Sequence, residues 1–219
     1  MKKQRTIFYI LMFLPAPVTL VSLLFLPDQI PAHYGFDNQV TRWGSKYETL
    51  IFPVITIIFG LIMLECSKVS SKSGEKTGEN NEKACITAGI FSLLIFNAMT
   101  GYFLYTDFNK VENLSSVPVD IFQLIFSLLG IFMIVIGSIM PKLQKNSVIG
   151  LRTHWSMKNE ITWKKSQRFG GNLFIIAGIL TILVCCFTKG IACYLWWMGI
   201  LLVSLPIDIY YTYKVAKKN

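Results

Sequence analysis

Residues 146–171 read NSVIGLRTHWSMKNEITWKKSQRFGG and separate two long apolar stretches, at about 119–141 and 172–187. The segment carries five basic residues, two tryptophans and three glycines, a composition that the hydrocarbon of a bilayer cannot hold. Each apolar stretch approaches the roughly 20 residues that a helix needs to cross about 30 Å of hydrocarbon. A polar loop between two such stretches predicts a protein that crosses a membrane as helices.

The rest of the chain repeats this alternation. Of the 219 residues, 53% are hydrophobic and only 15% are charged, which excludes an ordinary soluble domain. The apolar runs do not alternate as barrel strands do, and lipid offers no hydrogen-bond partner to an unpaired backbone, so helices are required. We predict an all-α, multi-pass membrane protein with six transmembrane helices, at about 7–26, 48–65, 84–105, 119–141, 172–187 and 191–212.

The basic residues are divided unequally between the loops. The termini and the loops at 66–83 and 142–171 together hold 17 of the 21 Lys and Arg residues, and the remaining loops hold 4. Because cytoplasmic loops carry the excess of Lys and Arg, both termini and these two loops are expected to be cytoplasmic. The basic excess then indicates contact with anionic lipid and no direct contact with nucleic acid.

Three regions follow from the alternation. Residues 1–66 form a first helix hairpin with a loop outside the cell, and Pro15 and Pro17 predict a kink in its first span because each removes a backbone donor. Residues 67–83, of low complexity and mixed charge, are typical of a flexible cytoplasmic linker. Residues 84–219 form a four-helix membrane region that contains the loop at 142–171.

Two loops carry motifs. The order I-G-L-R-T-x-W-S-x-x-x-E-x-x-W-x-K-x-x-R-x-x-G, which starts at Ile149, resembles the signature of the Sdp-immunity (SdpI) family of bacterial membrane proteins, with His154 where relatives usually have proline. The outer loop at 27–46, PDQIPAHYGFDNQVTRWGSK, resembles the extracellular motif of a short DUF1648-like domain that often precedes this signature.

The resemblance implies a function in a bacterial plasma membrane. It implies an immunity protein that protects the producing cell against a secreted toxic peptide, and also a receptor that recruits a small DNA-binding repressor to the membrane. The residues that it implies for contact with the toxin are His33, Asp37, Arg42, Trp43 and Lys46. Those for contact with the repressor are Gly150, Arg152, Thr153, Trp155, Trp163, Lys164, Arg168 and Gly171.

Each motif also has a structural interpretation. Tyr34, Phe36 and Trp43 are typical of an aromatic belt at the lipid headgroups, and the polar residues of the outer loop form either a recognition surface or an internal salt-bridged cap. The loop at 142–171 is either a solvated basic connector or a folded module, and its tryptophans favour the module. Within it, Ser156 is expected to cap a short helix at about 157–169.

Few polar residues lie inside the spans. Asn97 and Gln123 are candidates for interhelical hydrogen bonds. Asp208 is either a functional carboxylate or, as we favour, a partner of an interfacial Lys or Arg, since Lys214 is only about 9 Å further along the helix.

Enzyme chemistry has little support in the sequence. The two histidines, His33 and His154, fall on opposite faces of the membrane, and the five cysteines show no metal-ligand spacing, so no metal or cofactor is expected. Whether Cys186 and Cys193 pair stays open. The alternative function is a small membrane transporter, or a membrane enzyme that acts on lipid or peptide.

Overall fold

The computed structural model describes residues 2–35, 37–72 and 78–218. Its helices are α1 (Lys2–Phe13), α2 (Pro15–Ser22), α3 (Ile51–Ser71), α4 (Gly78–Phe108), α5 (Ile121–Ile139), α6 (Glu160–Phe187) and α7 (Ile191–Lys218). Two short antiparallel strands, β1 (Gln29–Tyr34) and β2 (Val40–Ser45), lie between α2 and α3. Among the described residues, six helical segments are long and apolar enough to cross a membrane, with α1 and α2 forming one of them. The prediction of a six-span helical membrane protein is confirmed.

The first span is interrupted at Leu14, as the two prolines predict. Pro15 has no N–H to donate to the carbonyl of Leu11, four residues earlier. The Asn97 side chain of α4 donates from Nδ2 to that carbonyl oxygen at 2.8 Å. A polar residue inside the membrane thus replaces the hydrogen bond that proline removes, and it ties α4 to α1.

Helices α5 and α6 approach each other at two pairs of glycines. A Cβ at Gly171 would lie 2.5 Å from the carbonyl oxygen of Gly137, and a Cβ at Gly178 would lie 2.5 Å from that of Gly130. On each helix the two glycines are seven residues apart, so they face the same side after about two turns. Small residues allow backbones of membrane helices to come into direct contact. These pairs therefore set how the two spans that flank the loop at 142–171 cross.

The prediction of a flexible linker at 67–83 is wrong at both ends of that segment, which are helical. Helix α3 continues to Ser71 and α4 begins at Gly78, so most of the segment is helical. Residues 73–77, between them, lie outside the described residues.

The physical reason for these longer helices is a set of buried polar contacts. Asn81 is fully buried, donates from Nδ2 to the carbonyl of Ser70 at 3.4 Å, and accepts from the backbone N–H of Gln144 at 3.0 Å. Arg5 at the start of α1 pairs with Glu82. Composition alone shows a polar segment, but these contacts hold its first and last turns against the rest of the bundle.

The loops gather at two ends of the bundle. We call the end that carries β1 and β2 the hairpin end, which comprises residues 27–50, 109–120 and 188–190. The opposite end, with both chain termini and residues 140–159, is called the signature end. Segments that are distant in sequence meet at each end. At the hairpin end the Val40 N–H donates to the Glu112 carbonyl at 2.9 Å, and at the signature end Lys158 donates to the Ala216 carbonyl of α7 at 2.8 Å.

Candidate functional site

The outer loop predicted from the sequence folds as a β-hairpin at the hairpin end. Its turn closes with a hydrogen bond from the Gly35 N–H to the Gln39 carbonyl at 2.8 Å, and Asn38 takes a left-handed φ of 64°. Phe36, which the aromatic-belt interpretation includes, lies outside the described residues. The Tyr34 hydroxyl donates to the Val111 carbonyl at 2.8 Å, which anchors β1 to the loop after α4. Burial of this hydroxyl raises the pKa of Tyr34.

Two ion pairs hold the base of the hairpin. The guanidinium of Arg42 binds both carboxylate oxygens of Glu48, at 2.7 and 3.0 Å, and this hydrogen bonding and charge raise the pKa of Arg42. Lys46 pairs with Asp28 at 2.9 Å, and its hydrogen bond and charge lower the pKa of Asp28. Exposed pairs of this kind add little stability. Their effect here is to fix the direction in which the hairpin leaves the helices.

The polar residues predicted to contact a toxin all have internal partners. Besides the ion pairs of Arg42 and Lys46, the Nδ1 atom of His33 lies 2.6 Å from the Thr41 hydroxyl oxygen. The Asp37 carboxylate accepts from the Gln39 N–H at 3.2 Å. These contacts are those expected of an internal cap. The fifth residue, Trp43, is 41% exposed, so its ring is available to a ligand.

A cleft of about 380 Å³ lies between the hairpin and the adjoining ends of α3, α4 and α5. This volume is within the range of roughly 300–1,000 Å³ that is common for ligand sites. Its apolar lining includes Ile30, Phe52, Phe103, Leu114, Ile121 and Phe122, and its polar lining includes His33, Asn38, Arg42, Glu48 and Asp107. Two of the predicted contact residues, His33 and Arg42, therefore border a concave site that the sequence did not reveal.

Sequence reasoning missed Asp107 as a site residue. Its side chain is only 3% exposed and lines the cleft, and within the described chain no hydrogen bond or ion pair reaches its carboxylate. The sequence signal was weak, because an acid directly after an apolar span is usually an exposed loop residue.

At the signature end, the loop at 142–171 is a folded module, as its tryptophans predict. Trp163 is fully buried and donates from Nε1 to the Leu143 carbonyl at 2.9 Å. The Gln167 side chain accepts from the Leu151 N–H at 2.9 Å and donates to the carbonyl of the same residue at 2.8 Å. Gly150 lies beside the Gln167 side chain and has a φ of +109°, a backbone conformation that residues other than glycine rarely adopt.

The prediction of a separate short helix at 157–169, capped by Ser156, is wrong. Helix α6 begins at Glu160 and continues through the membrane span, and the Asn159 side chain caps it by accepting from the Thr162 N–H at 2.8 Å. The buried Ser156 hydroxyl instead accepts from the Thr153 N–H at 2.8 Å and serves the loop. Serine and asparagine both cap helices well. Asn159 caps α6 because the Ser156 hydroxyl is already used in hydrogen bonds within the loop.

The eight residues predicted to contact a repressor differ in exposure. Those with exposed side chains are Arg152, Lys164 and Arg168. Trp155 is half-buried, edge-on to the Tyr213 ring with 5.5 Å between centroids. Those used inside the fold are Gly150, Thr153, Trp163 and Gly171. In this arrangement a partner would reach the basic side chains, whereas Trp163 and Gly171 hold the module together.

The predicted interhelical hydrogen bonds of Asn97 and Gln123 are confirmed. The Gln123 side chain of α5 donates from Nε2 to the carbonyls of Cys185 and Thr188, each at 2.8 Å. These carbonyls belong to the end of α6, where the helix itself supplies no donor. All five cysteines, including the exposed Cys186 and the buried Cys193, are free thiols.

The favoured pairing of Asp208 with an interfacial Lys or Arg is wrong. Asp208 is 8% exposed, and in the described part of the chain it forms no ion pair and its Oδ1 has no hydrogen-bond partner. A Cβ at Gly170 would lie 3.3 Å from that oxygen, so the carboxylate points toward α6. Lys214, six residues later, is rotated by about 240° around the helix and is exposed on another face.

Comparisons with known proteins agree with both motifs. Residues 142–211 match the SdpI/YfhL protein family, and residues 10–57 match a domain of unknown function, DUF1648. The chain is 27% identical over 217 residues to the Immunity protein SdpI of Bacillus subtilis (strain 168), covering 99% of this chain and 97% of that protein. No solved structure matches. With the signature module, the hairpin and six spans in the same chain, the protein is a multi-pass bacterial membrane protein that is similar to the SdpI/YfhL family over residues 142–211 and to an immunity protein over nearly its whole length.

Proposed function

We propose that this protein is a membrane immunity protein, which protects the cell that makes it against a secreted toxic peptide. The observation that carries the proposal is the cleft at the hairpin end, where apolar walls surround a buried carboxylate. A peptide with apolar and polar groups suits such a lining. Similarity over nearly the whole chain to a protein named as an immunity protein supports the same function.

The proposed orientation places the hairpin end outside the cell. It is supported by the distribution of Lys and Arg in the sequence, of which 4 lie in the loops of the hairpin end and 17 in the two terminal segments and in residues 66–83 and 142–171. A secreted peptide would then reach the cleft without crossing the membrane. The ion pairs of Arg42 and Lys46 would hold the hairpin in place over the cleft, and Trp43 would add an exposed aromatic contact.

The proposal predicts that a strain that lacks the gene becomes sensitive to spent medium of its parent strain, and that a plasmid copy restores growth. A Trp43→Ala copy should protect only at about 30-fold lower toxin concentrations, since loss of an aromatic anchor typically costs about 2 kcal/mol. The measurement is the growth-inhibiting dilution of the medium, with immunoblots of membrane protein.

The matched control is Trp196→Ala, which removes a tryptophan that is 57% exposed on α7, far along the chain from the hairpin. This variant should protect as the unchanged protein does. A deletion strain that grows normally in the medium would reject immunity itself. Equal protection by both variants would reject Trp43 as a contact residue.

We propose, as a second role, that the signature end recruits a small DNA-binding repressor when toxin is bound. The specific support is the folded module, which presents Arg152, Lys164 and Arg168 as exposed basic side chains. A ligand shifts a conformational equilibrium by its different affinity for the two states. The repressor need only bind one arrangement of this module more tightly than the other.

For this role, replacing both Lys164 and Arg168 with alanine should abolish recruitment of a fluorescently labelled small DNA-binding repressor of the same cell, while protection persists. The double variant Lys214→Ala, Lys217→Ala removes the same charge at the same end and should recruit normally. The orientation is checked with single cysteines in a variant whose native cysteines have been replaced. A membrane-impermeant thiol reagent added to intact cells should label Gln39→Cys but not Lys164→Cys. If the unchanged protein recruits no repressor, the receptor role is rejected and immunity is unaffected.

A further inference from the structure

Asp107 occupies an unfavourable place for a carboxylate. It is the next-to-last residue of α4, where the partial negative charge of the helix C-terminus disfavours another negative group. Its side chain is 97% buried, although it has no hydrogen-bond or ion-pair partner within the described residues. A buried charge of this kind is costly unless a cation or hydrogen-bond donors compensate it.

The basic residues of the hairpin end do not supply that compensation. Arg42 lines the same cleft, but both ends of its guanidinium fork are taken by Glu48. Lys46 is paired with Asp28. Lys110, three residues after Asp107, and Lys189 are exposed. The basic side chains of the hairpin end therefore either form ion pairs with other acids or are exposed to solvent. The Asp107 carboxylate remains available to a ligand that enters the cleft.

From this geometry we infer that Asp107 binds a positively charged nitrogen of the secreted peptide, either an amine of a lysine or the N-terminus, or a guanidinium. The inference rests on the proposed immunity function and deepens it, because it names the chemistry that the cleft selects. The apolar rings and aliphatic side chains around the acid, among them Phe52, Phe103 and Phe122, would hold the flanking apolar part of the peptide. The occupant is thus a peptide segment that is both cationic and apolar.

The charge complementarity has a further consequence for selectivity. An apolar cleft without a charge would bind many hydrophobic peptides with similar affinity, since apolar burial is not directional. An unpaired carboxylate inside it penalises every ligand that brings neither a cation nor a hydrogen-bond donor, because such a ligand covers the carboxylate without compensating it. The cleft would therefore bind neutral hydrophobic peptides more weakly than the apolar area of its lining alone would predict.

The test compares Asp107→Asn with the unchanged protein in lipid nanodiscs. The probe is the toxic peptide purified from spent medium, used as isolated and after acetylation of its amines. Loss of one partner of a desolvated charge pair should weaken binding of the untreated peptide at least about 30-fold. The thermal midpoint of unfolding should not fall, because asparagine has nearly the same shape and removes an uncompensated buried charge. Glu112→Gln is the matched control, since it removes an exposed carboxylate outside the cleft.

The acetylated peptide distinguishes the two sources of the cation. If an amine binds Asp107, acetylation weakens binding to the unchanged protein and has no further effect on Asp107→Asn. If a guanidinium binds, only the substitution weakens binding. Equal affinity of Asp107→Asn and the unchanged protein for the untreated peptide would overturn the inference while immunity stands. A lowered thermal midpoint of Asp107→Asn would overturn it too, by showing a structural role, and sensitivity of the deletion strain reports separately on the proposed function.

Discussion

Gly171→Ala should strongly reduce the stability of the protein, although alanine favours helices more than glycine does. Its new Cβ would lie 2.5 Å from the carbonyl oxygen of Gly137, and neither atom belongs to a flexible side chain. The backbones of α5 and α6 would have to separate, and that would also loosen the contact between Gly130 and Gly178. Overpacking of a tight core typically costs about 1–3 kcal/mol. Because backbone atoms cannot yield by changing rotamer, we expect the upper end of that range or more.

The control for this prediction is Gly199→Ala in α7, where no atom lies within 4 Å of the added Cβ. That variant should be neutral or more stable by up to about 1 kcal/mol, from helix propensity alone. Thermal unfolding in nanodiscs measures both variants. If Gly171→Ala unfolds at the same temperature as Gly199→Ala, the two helices do not pack backbone to backbone.

The spans could be predicted from the sequence because their cause is local. A bilayer demands a long apolar run with all backbone groups paired, so the apolar runs at 119–141 and 172–187 predict helices without knowledge of their neighbours. Gly130, Gly137, Gly171 and Gly178 are visible in the same runs, yet their role is not. Gly199 also lies in a span and touches nothing. Glycines at a helix contact can be distinguished from a glycine without one only when the packing of α5 against α6 is known.

The ends of the bundle could be predicted less well because contacts between distant loops determine them. The β-hairpin is held in part by the loop after α4, through the bonds between Asn38 and Leu114 and between Val40 and Glu112. Likewise, the helical turns near Asn81 depend on Gln144, more than 60 residues away. Neither contact leaves a periodic pattern in the sequence.

The sequence indicated the hairpin as a candidate site, but it did not reveal the cleft that the hairpin borders. The motif residues His33 and Arg42 do border the cleft, since the motif includes the hairpin that covers it. Their polar groups, however, are used within the protein. Asp107 was not recognised because its importance lies in burial without a partner, a property that exists only in the folded chain.

Trp163→Ala should cost about 3–5 kcal/mol, the usual range for removing a large buried aromatic side chain. The ring is fully buried in a cluster that joins α4, α5 and the loop at 142–171, with Ala84, Ile136 and Leu143 among its members. Alanine would leave a cavity there and would also leave the Leu143 carbonyl without its donor. A loss of this size is a large part of the total stability of a typical domain, so we expect little folded protein in the membrane.

A graded series separates the two contributions of Trp163 and tests its assignment to the core. Trp163→Phe keeps an aromatic ring but not the Nε1 donor, so it should lose less stability than Trp163→Ala. The Leu143 carbonyl, left without its donor, should account for about 1–3 kcal/mol of the loss. Trp196→Ala removes a lipid-facing tryptophan of α7 and should leave the thermal midpoint unchanged. If Trp163 instead contacts a partner directly, Trp163→Ala would unfold at the temperature of the unchanged protein and lose only recruitment of the repressor. Recruitment and thermal unfolding measured on the same variants therefore decide whether this tryptophan transmits a signal or supports the module that presents Arg152, Lys164 and Arg168.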